Sequence, residues 1–596
     1  MRLKYLDVLK AFAIIAVVLY HSGFMPFGYL GVDLFLVING YLITKSLQRK
    51  LLINKAFVDV DNHQFRIEGG EYFGFEVSRV MRLLPVLLVA DIVCMAIGFW
   101  AMLPDDYENL NESVVATNLF VNNILAAITT KNYWDVVNEY KPLMHTWYVG
   151  VVMQFYIIYP VLFFLARLDK KNPQRALLVL ISTLAVISLL VYFGTNDVAQ
   201  RFYYLPSRFF EFAVGGIVAL TWKQQEGEKT FHSWFVYGCY ALILALMAVN
   251  VEIIPANLKL VTVVALSVVL LMSSKMLENK VTANGVLAKV GAASYSIFVW
   301  HQILLAFYRY TVSSHFTVVS YALILVTVAI LSWLTYQFIE QKTNTWLKGK
   351  KSKVVFYAIT IALFLLLTSA AGYIYKKGGV VRDVPELYIS KNEHLNHAAY
   401  NEKINQYDRP FSTTKPHWLV VGNSFGRDFS NVILESPISD RIELSYIRIE
   451  NYKQPQYAER FANADRVFLS SLGTDEQTVM ELELLCQANG FDVDNLVIVG
   501  TKNFGVSNGQ FYVKRNRPDY FEQRTKMENG YFERNEQMKA LFGKRYLDLI
   551  GLVIDNNRTM PVFTPDQHFV SQDCRHFSKG GAIWFAQMID WDEFLE

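Results

Sequence analysis

Cysteine is scarce in this chain. Four occur in 596 residues, Cys94, Cys239, Cys486 and Cys574. They are scattered without zinc-ligand spacing, so neither a metal site nor a disulfide framework is read. An excess of one charge is also missing. Lys plus Arg number 56 against 53 Asp plus Glu, a net charge of +3, and nothing points to nucleic acid. No small-residue cleavage site follows the first apolar segment, which is read as a retained span rather than a signal peptide. What is abundant is apolar surface: 53% of residues are hydrophobic and 15% aromatic. That is too apolar for an ordinary soluble protein and fits a membrane protein with a soluble part.

Apolar runs of spanning length recur from residue 6 to residue 375. About eleven meet the length criterion, near 6–23, 29–47, 83–103, 144–166, 176–194, 208–223, 232–250, 257–275, 293–312, 317–340 and 354–375. The polar stretch 104–143, with Pro104-Asp105-Asp106 and an apolar patch at Leu119–Ile128, reads as an external loop with a re-entrant piece. Basic residues set the orientation. With the N-terminus inside, the inner segments carry Lys45, Arg49, Lys50 and Lys55, then Arg79 and Arg82, then Arg167, Lys170, Lys171 and Arg175, and finally Lys342, Lys348, Lys350, Lys351 and Lys353. An odd number of spans then places everything after residue 376 outside.

Ionisable groups on one stripe of a spanning helix are expensive and are functional candidates. Lys10 and His21 are eleven residues apart, about three turns, hence on nearly one face and about 16 Å apart. Asp7 lies one turn before Lys10, where the two can pair. Other polar groups recur at span ends: His145-Thr146-Trp147 with Gln154, Arg208 with Glu211, and Ser294-Tyr295-Ser296 with Trp300-His301. Singly each also reads as interfacial anchoring. Three histidines with an Arg–Glu pair point to a polar cavity.

The ordered set of pieces resembles the membrane-bound acyltransferase-3 family. They are Asp7-Val-Leu-Lys10-Ala with His21, Gly31-Val-Asp33 through Gly40-Tyr-Leu-Ile-Thr44, and Arg79-Val-Met-Arg82-Leu-Leu-Pro85. His145-Thr-Trp147 with Gln154-Phe-Tyr156, Leu205-Pro-Ser-Arg208-Phe-Phe-Glu211, Ser294-Tyr295-Ser296 with Trp300-His301, and Phe338-Ile-Glu340 follow in order. The match covers roughly residues 1–345, and seven pieces in sequence are specific where one is not. Lys10 stands where the family usually has Arg, and Val152-Met153 where it usually has two glutamates. The resemblance implies transfer of an acyl group, usually acetyl, from cytoplasmic acyl-CoA to a sugar hydroxyl. Arg79 and Arg82, one turn apart on the inner side, could then hold CoA phosphates. His21 suits a general base, and Lys10 could guide the donor or stabilise developing charge. Asp33, His145, Trp147, Gln154, Arg208, Glu211, Tyr295, Trp300 and His301 would line the membrane cavity.

After residue 376 the chain turns polar, and 377–414 reads as a linker or small extension. From 415, short apolar strands alternate with longer polar helical pieces: His417–Val421, Leu444–Ile449, Val467–Leu472 and Leu496–Val499. That is the pattern of a doubly wound α/β domain. Trp418-Leu-Val-Val421 runs into Gly422-Asn423-Ser424-Phe425-Gly426, placing Ser424 at the carboxyl edge of the sheet. Asp573-Cys-Arg-His576-Phe-Ser578 near the end can supply orienter and base for a Ser-His-Asp arrangement. Gly473 and Asn503, at other strand ends, would complete an oxyanion hole with the Ser424 N–H. Asp566 and His568 are rivals without the following Ser and Gly-Ala. These blocks resemble the SGNH hydrolase family, with Asn423 replacing its usual Asp and Phe425 a common His. The fusion resembles bacterial acyltransferase-3/SGNH O-acetyltransferases.

The expected fold is therefore a polytopic α-helical membrane domain of about ten spans over 1–345 and an additional span over 346–376. A linker over 377–414 and an extracytoplasmic SGNH-like α/β domain with a parallel sheet over 415–596 follow. The expected activity is acyl transfer in the bacterial cytoplasmic (inner) membrane, from acetyl-CoA or another acyl-CoA to a glycan such as an O-antigen or capsule, with no metal. The alternatives are a membrane-anchored esterase, or a transport or binding module whose membrane half has lost its chemistry.

Overall fold

The computed structural model describes residues 4–48, 69–129, 136–222, 231–250, 254–273, 285–346, 349–392 and 397–595. Arg49, Lys50, Lys55 and Lys348, used above for orientation, lie outside the described residues. Two units form. One comprises Met1–Ala96, Leu110–Arg309 and His315–Gly372; the other comprises Ile97–Asn109, Tyr310–Ser314 and Tyr373–Glu596.

The first unit is helical. Each of the eleven apolar runs contains or overlaps a helix: Lys4–His21, Gly31–Leu47, Gly69–Ala101, Trp147–Ala166, Pro173–Gly194, Leu205–Thr221, Ser233–Ala248, Ala256–Ser273, Ser294–Thr311, Val318–Thr335 and Lys350–Lys376. Among the described residues seven helices are long and apolar enough to cross a membrane. An eighth arises if Gly285–Ala292 and Ser294–Thr311, bent by 70°, form one span. The first helix falls outside this set because its 18 residues include Lys4, Asp7 and Lys10. A bilayer leaves backbone groups no partner but each other, so helices satisfied within themselves are the economical solution. The chain therefore carries a multi-pass membrane unit.

Close packing within it depends on small residues, as expected where lipid gives no hydrophobic drive between helices. A Cβ on Gly40 would come within 1.9 Å of the Phe212 carbonyl oxygen, and one on Gly215 within 2.0 Å of that of Val37. Helices 31–47 and 205–221 thus meet backbone to backbone. The stretch 104–143 departs from the loop expectation, forming helices over Pro104–Asn118 and Asn122–Thr129. Pro104 begins the first, and Asp105 and Asp106 occupy its first turn, where acids favour a helix. Its polar composition hid a buried face. Asn122 donates to Leu143 O at 2.9 Å and Thr146 Oγ1 at 2.7 Å, while Asn123 and Gln154 exchange amide bonds at 2.8 and 3.2 Å.

The second unit is built on strands β1 (His417–Gly422), β2 (Glu443–Arg448), β3 (Arg466–Ser470), β4 (Leu496–Val499), β5 (Arg524–Lys526), β6 (Tyr546–Leu547) and β7 (Thr559–Pro561). β2-β1-β3-β4-β6 pair in that order, all in parallel, and β5 pairs with β7 antiparallel. This is the expected α/β architecture. Alternate residues feed two cores: Trp418 and Val420 pack with Phe429, Phe468 and Phe585, whereas Leu419 and Val421 pack with Phe461, Leu469 and Leu482. Period-two side chains buried on both faces are what a helix-covered parallel sheet requires. Part of the 377–414 stretch joins this core, for Ile404 is fully buried against it. The order of strands reverses at β1, whose neighbours are β2 and β3. That reversal opens a crevice at the carboxyl ends of β1 and β3, the usual ligand position in such sheets.

Candidate functional site

The chain leaves β1 through Gly422, where a Cβ would lie 1.9 Å from Ser470 O and 2.7 Å from Gly426 Cα. Only glycine lets β1 end that close to both β3 and the next helix. That helix runs Ser424–Leu434, with Asn423 as its cap. Asn423 Oδ1 accepts from Phe425 N at 3.0 Å and Leu472 N at 3.2 Å. An amide oxygen thus performs the capping a carboxylate would, and ties the loop after β3 to the serine turn.

Ser424 Oγ lies 2.8 Å from His576 Nε2, and His576 Nδ1 lies 2.6 Å from Asp573 Oδ2. Asp573 Oδ1 accepts from the backbone N–H groups of Arg575 and His576 at 3.0 and 2.7 Å. The three side chains, spread over 152 residues, form the nucleophile–base–orienter line of a serine acyl-transfer site. Burial lowers the His576 pKa, but the Asp573 carboxylate, with Asp428 behind it, outweighs this and leaves it raised. Gly473 sits in the loop after β3 with φ +82°, beside the serine turn. Asn503 is fully buried; its Nδ2 donates to Glu528 Oε1 at 3.2 Å and its Oδ1 accepts from Gly505 N and Glu528 N, each at 3.0 Å. Its amide thus holds the 503–505 and 528 segments together. His568 stacks on Tyr388, ring centroids 3.7 Å apart, and bonds Pro385 O.

A buried ion pair behind the triad was not read from the sequence. Asp428, one turn after Ser424 on the same helix, accepts from Lys502 Nζ at 2.9 Å and from Phe577 N at 2.9 Å. Side-chain exposure is 1% for Asp428 and 3% for Lys502. The ammonium lies 3.5 Å from the Phe425 ring centroid. Burial lowers the Lys502 pKa, and the Asp428 carboxylate partly offsets this. One carboxylate therefore joins the serine helix, the loop after β4 and the histidine block. The available signal was an acid at i+4 from the serine, which sequence alone does not pair with a lysine 74 positions on.

In the helical unit, Lys10 pairs with Asp7 at 3.6 Å. Lys10, Arg79, Arg82 and Tyr295 line one cavity of about 130 Å³, whose other walls include Phe35, Leu42, Val152 and Phe298. Arg79 stacks over Tyr156, 5.7 Å to the ring centroid. Asn39 and Tyr148, both on the lining, bond at 2.7 Å. Three cations at a cavity with a largely apolar and aromatic wall suit an anionic ligand with an apolar arm. His21, the last residue of its helix, belongs to a separate cluster: its ring centroid is 5.2 Å from that of His301, which is 5.4 Å from His145. Arg309 donates to His21 O. His301 Nδ1 bonds Phe298 O at 2.7 Å and His145 Nε2 bonds Val299 O at 3.1 Å. A neutral imidazole that donates to a carbonyl keeps its second nitrogen as an acceptor. His301 Nε2 is that nitrogen on its ring, and among the described residues it is buried without a hydrogen-bond partner.

The remaining membrane residues are placed elsewhere. Asp33, Arg208 and Glu211 form a buried ion triad, with Arg208 Nη1 2.6 Å from Asp33 and 2.8 Å from Glu211. Trp147 covers the guanidinium at 5.9 Å. Gln154 is engaged with Asn123, and Trp300 donates to Thr335 Oγ1 at 3.2 Å. Desolvated charge of this kind persists only when paired, so these groups lock helices 31–47 and 205–221. Among the described residues no group of three or more His, Cys, Asp or Glu side chains is disposed to hold a metal ion.

Comparison with known proteins places these geometries in context. A family model described as an acyltransferase domain matches residues 3–337. The O-acetyltransferase OatA of Staphylococcus aureus strain MRSA252 is 25% identical over 387 residues, 61% of each chain, and OatA of strain NCTC 8325 matches to the same extent. The SACOL0978 protein of S. aureus strain COL, whose O-acetyltransferase assignment is provisional, is 24% identical over 544 residues, 83% of this chain and 86% of its own. No solved structure matches the chain. With more than half its length, residues 3–337, matched by that family model, this chain belongs to the acyltransferase-3 family of membrane proteins.

Proposed function

We propose that the chain is a membrane O-acyltransferase that moves an acetyl group from acyl-CoA, held at the cytoplasmic side of the helical unit, to a hydroxyl of an envelope glycan on the other side. Residues 1–345 would be the transferase membrane domain, 346–376 a further span, 377–414 an extension, and 415–596 an SGNH-like extracytoplasmic domain. Lys10, Arg79 and Arg82 hold the donor's phosphates and guide its thioester arm. His21, with His301 and His145 beside it, takes the proton of the group that receives the acetyl.

The observation that carries the reading is the Ser424–His576–Asp573 line, at 2.8 and 2.6 Å, in a chain whose other half is a membrane acyltransferase. In this scheme His576 Nε2 accepts the Ser424 proton as Oγ attacks the acetyl carbonyl, and returns it to the leaving group. The backbone N–H groups of Ser424 and Gly473 would receive the developing oxyanion. The acceptor hydroxyl then loses its proton to His576 and attacks acyl-Ser424; the Ser424 Oγ–acetyl bond breaks, His576 returns the proton to Ser424 Oγ, and the acetylated glycan departs. Splitting the transfer in two is ping-pong logic.

The test is peptide mass spectrometry of the full-length protein after incubation with p-nitrophenyl acetate. An acetyl group should be trapped on Ser424 in the His576→Ala variant. Glycan acetylation at the wild-type rate by Ser424→Ala would show that the helical unit acts alone. An esterase reading is also favoured by one observation, since His576 and Asp573 remain 23% and 37% exposed and open to water. Acetate release unaffected by added glycan would select it.

A further inference from the structure

The α/β unit holds a cavity of about 330 Å³, bounded by the loop Ser471–Thr474, the carboxyl end of β4 and the segment 529–534. Two contacts tie its walls to the segments that carry the triad. Leu472 N donates to Asn423, the residue before the serine, and Glu528, next to the cavity segment, lies 3.7 Å from Arg575, the residue before His576. Its volume is at the small end of ligand pockets, which run about 300–1,000 Å³. That suits one sugar unit.

The lining is amphipathic in the way a pyranose is. Ile498, Val499 and the half-buried Tyr531 ring offer apolar surface, while Thr501, Asn529 and Arg534 offer polar groups. An aromatic face takes the C–H side of a sugar ring, and hydroxyl and amide groups take its rim. Arg534 adds charge. Its Nη2 donates to Thr474 O, and among the described residues no carboxylate lies within ion-pair distance of it, Asp475 acting on it only across a longer gap. A guanidinium at a cavity edge with donors to spare matches a carboxylate through two parallel bonds.

We infer that this cavity is the acceptor subsite and that it takes an acidic sugar, with the ring on Tyr531 and the carboxylate on Arg534. The inference rests on the acyl-serine reading for its place in the reaction but not for its test. Binding of methyl β-glucuronoside and of methyl β-glucoside, which differ at C6 alone, is measured by saturation-transfer NMR on the full-length protein in detergent. It is repeated in Ser424→Ala so that no chemistry is required. The glucuronoside should bind about tenfold tighter, the effect of one charge-assisted pair, and the preference should shrink in high salt. Arg534→Gln should abolish the preference, Arg534→Lys should keep part of it, and Tyr531→Ala should weaken both ligands. Equal affinities in the wild type, binding of neither ligand, or a preference that survives Arg534→Gln would overturn the assignment. A failure to trap acetyl on Ser424 would count against the proposed function and leave this binding result standing.

Discussion

The Asp428–Lys502 pair gives the sharpest test of how the triad is held. Asp428→Asn preserves shape, and the introduced amide oxygen can still accept from Phe577 N. What it removes is the counter-ion of an ammonium that is 3% exposed. Breaking one side of a buried pair costs about 3–5 kcal/mol, a drop of roughly 10 °C in Tm for a domain of this size. The pH dependence identifies the cause. Burial already lowers the Lys502 pKa below its ordinary 10.5, and loss of the carboxylate lowers it further. A cation with a depressed folded-state pKa binds fewer protons folded than unfolded, so stability rises with pH between the two values. The Asp428→Asn penalty should therefore be greatest at low pH and should shrink as pH climbs toward 10.5. Lys502→Met strands the carboxylate instead, and its penalty should not shrink as the pH climbs. Combining Asp428→Leu with Lys502→Met should recover much of the loss, because an apolar pair carries no desolvation penalty.

Scanning calorimetry of the full-length protein in detergent reads these shifts. Alkylation of the buried Cys486, followed by peptide mass spectrometry at pH 7, identifies the transition that belongs to the α/β unit. Penalties of the same pH sign in the two single variants would refute the electrostatic account and leave a packing defect. The double variant staying at the level of the worse single variant would do the same.

Other outcomes follow from the same geometry. The His576 pKa is raised chiefly by Asp573 against the burial that lowers it, and the base works in its neutral form. Acyl-Ser424 formation should therefore climb through a limb above the ordinary histidine value, and Asp573→Asn should move that limb to lower pH while costing less rate than His576→Ala. His21→Ala should abolish glycan acylation at unchanged membrane levels, measured by mass spectrometry of envelope polysaccharide; Lys10→Ala should too, whereas Lys10→Arg should retain activity. The double variant Arg79→Ala/Arg82→Ala should bind CoA more weakly, with the deficit smaller at high salt because the wild-type contact is screened. A reporter fused after residue 390 should be active outside the cytoplasm.

Much of the architecture is written in local pattern. Runs of apolar residues near spanning length became helices because a helix satisfies its own backbone in lipid, and only chain-local information is needed to see them. The strands of the α/β unit were legible for the same reason, their buried runs being bounded by polar helical pieces. Ser424 was visible because a serine on a glycine-flanked turn has a local signature, and Asp573 with His576 because they lie three positions apart. The polar composition of 104–143 misled because Asn122 and Asn123 are buried and bonded to partners twenty or more residues along the chain.

Tertiary structure decided what depends on partners distant in sequence. Strand order placed the loop after β3 against the serine turn, although β2 intervenes in the chain. Arg208 and Glu211 look like free polar groups until helix packing brings Asp33 to them, 175 residues from Arg208, and desolvation turns the three into a lock. Lys502 reads as an ordinary surface lysine until burial makes Asp428 obligatory. Periodicity and turn chemistry are short-range and additive, so they survive in sequence. The pairing of charges taken out of water depends on which groups the completed fold leaves together.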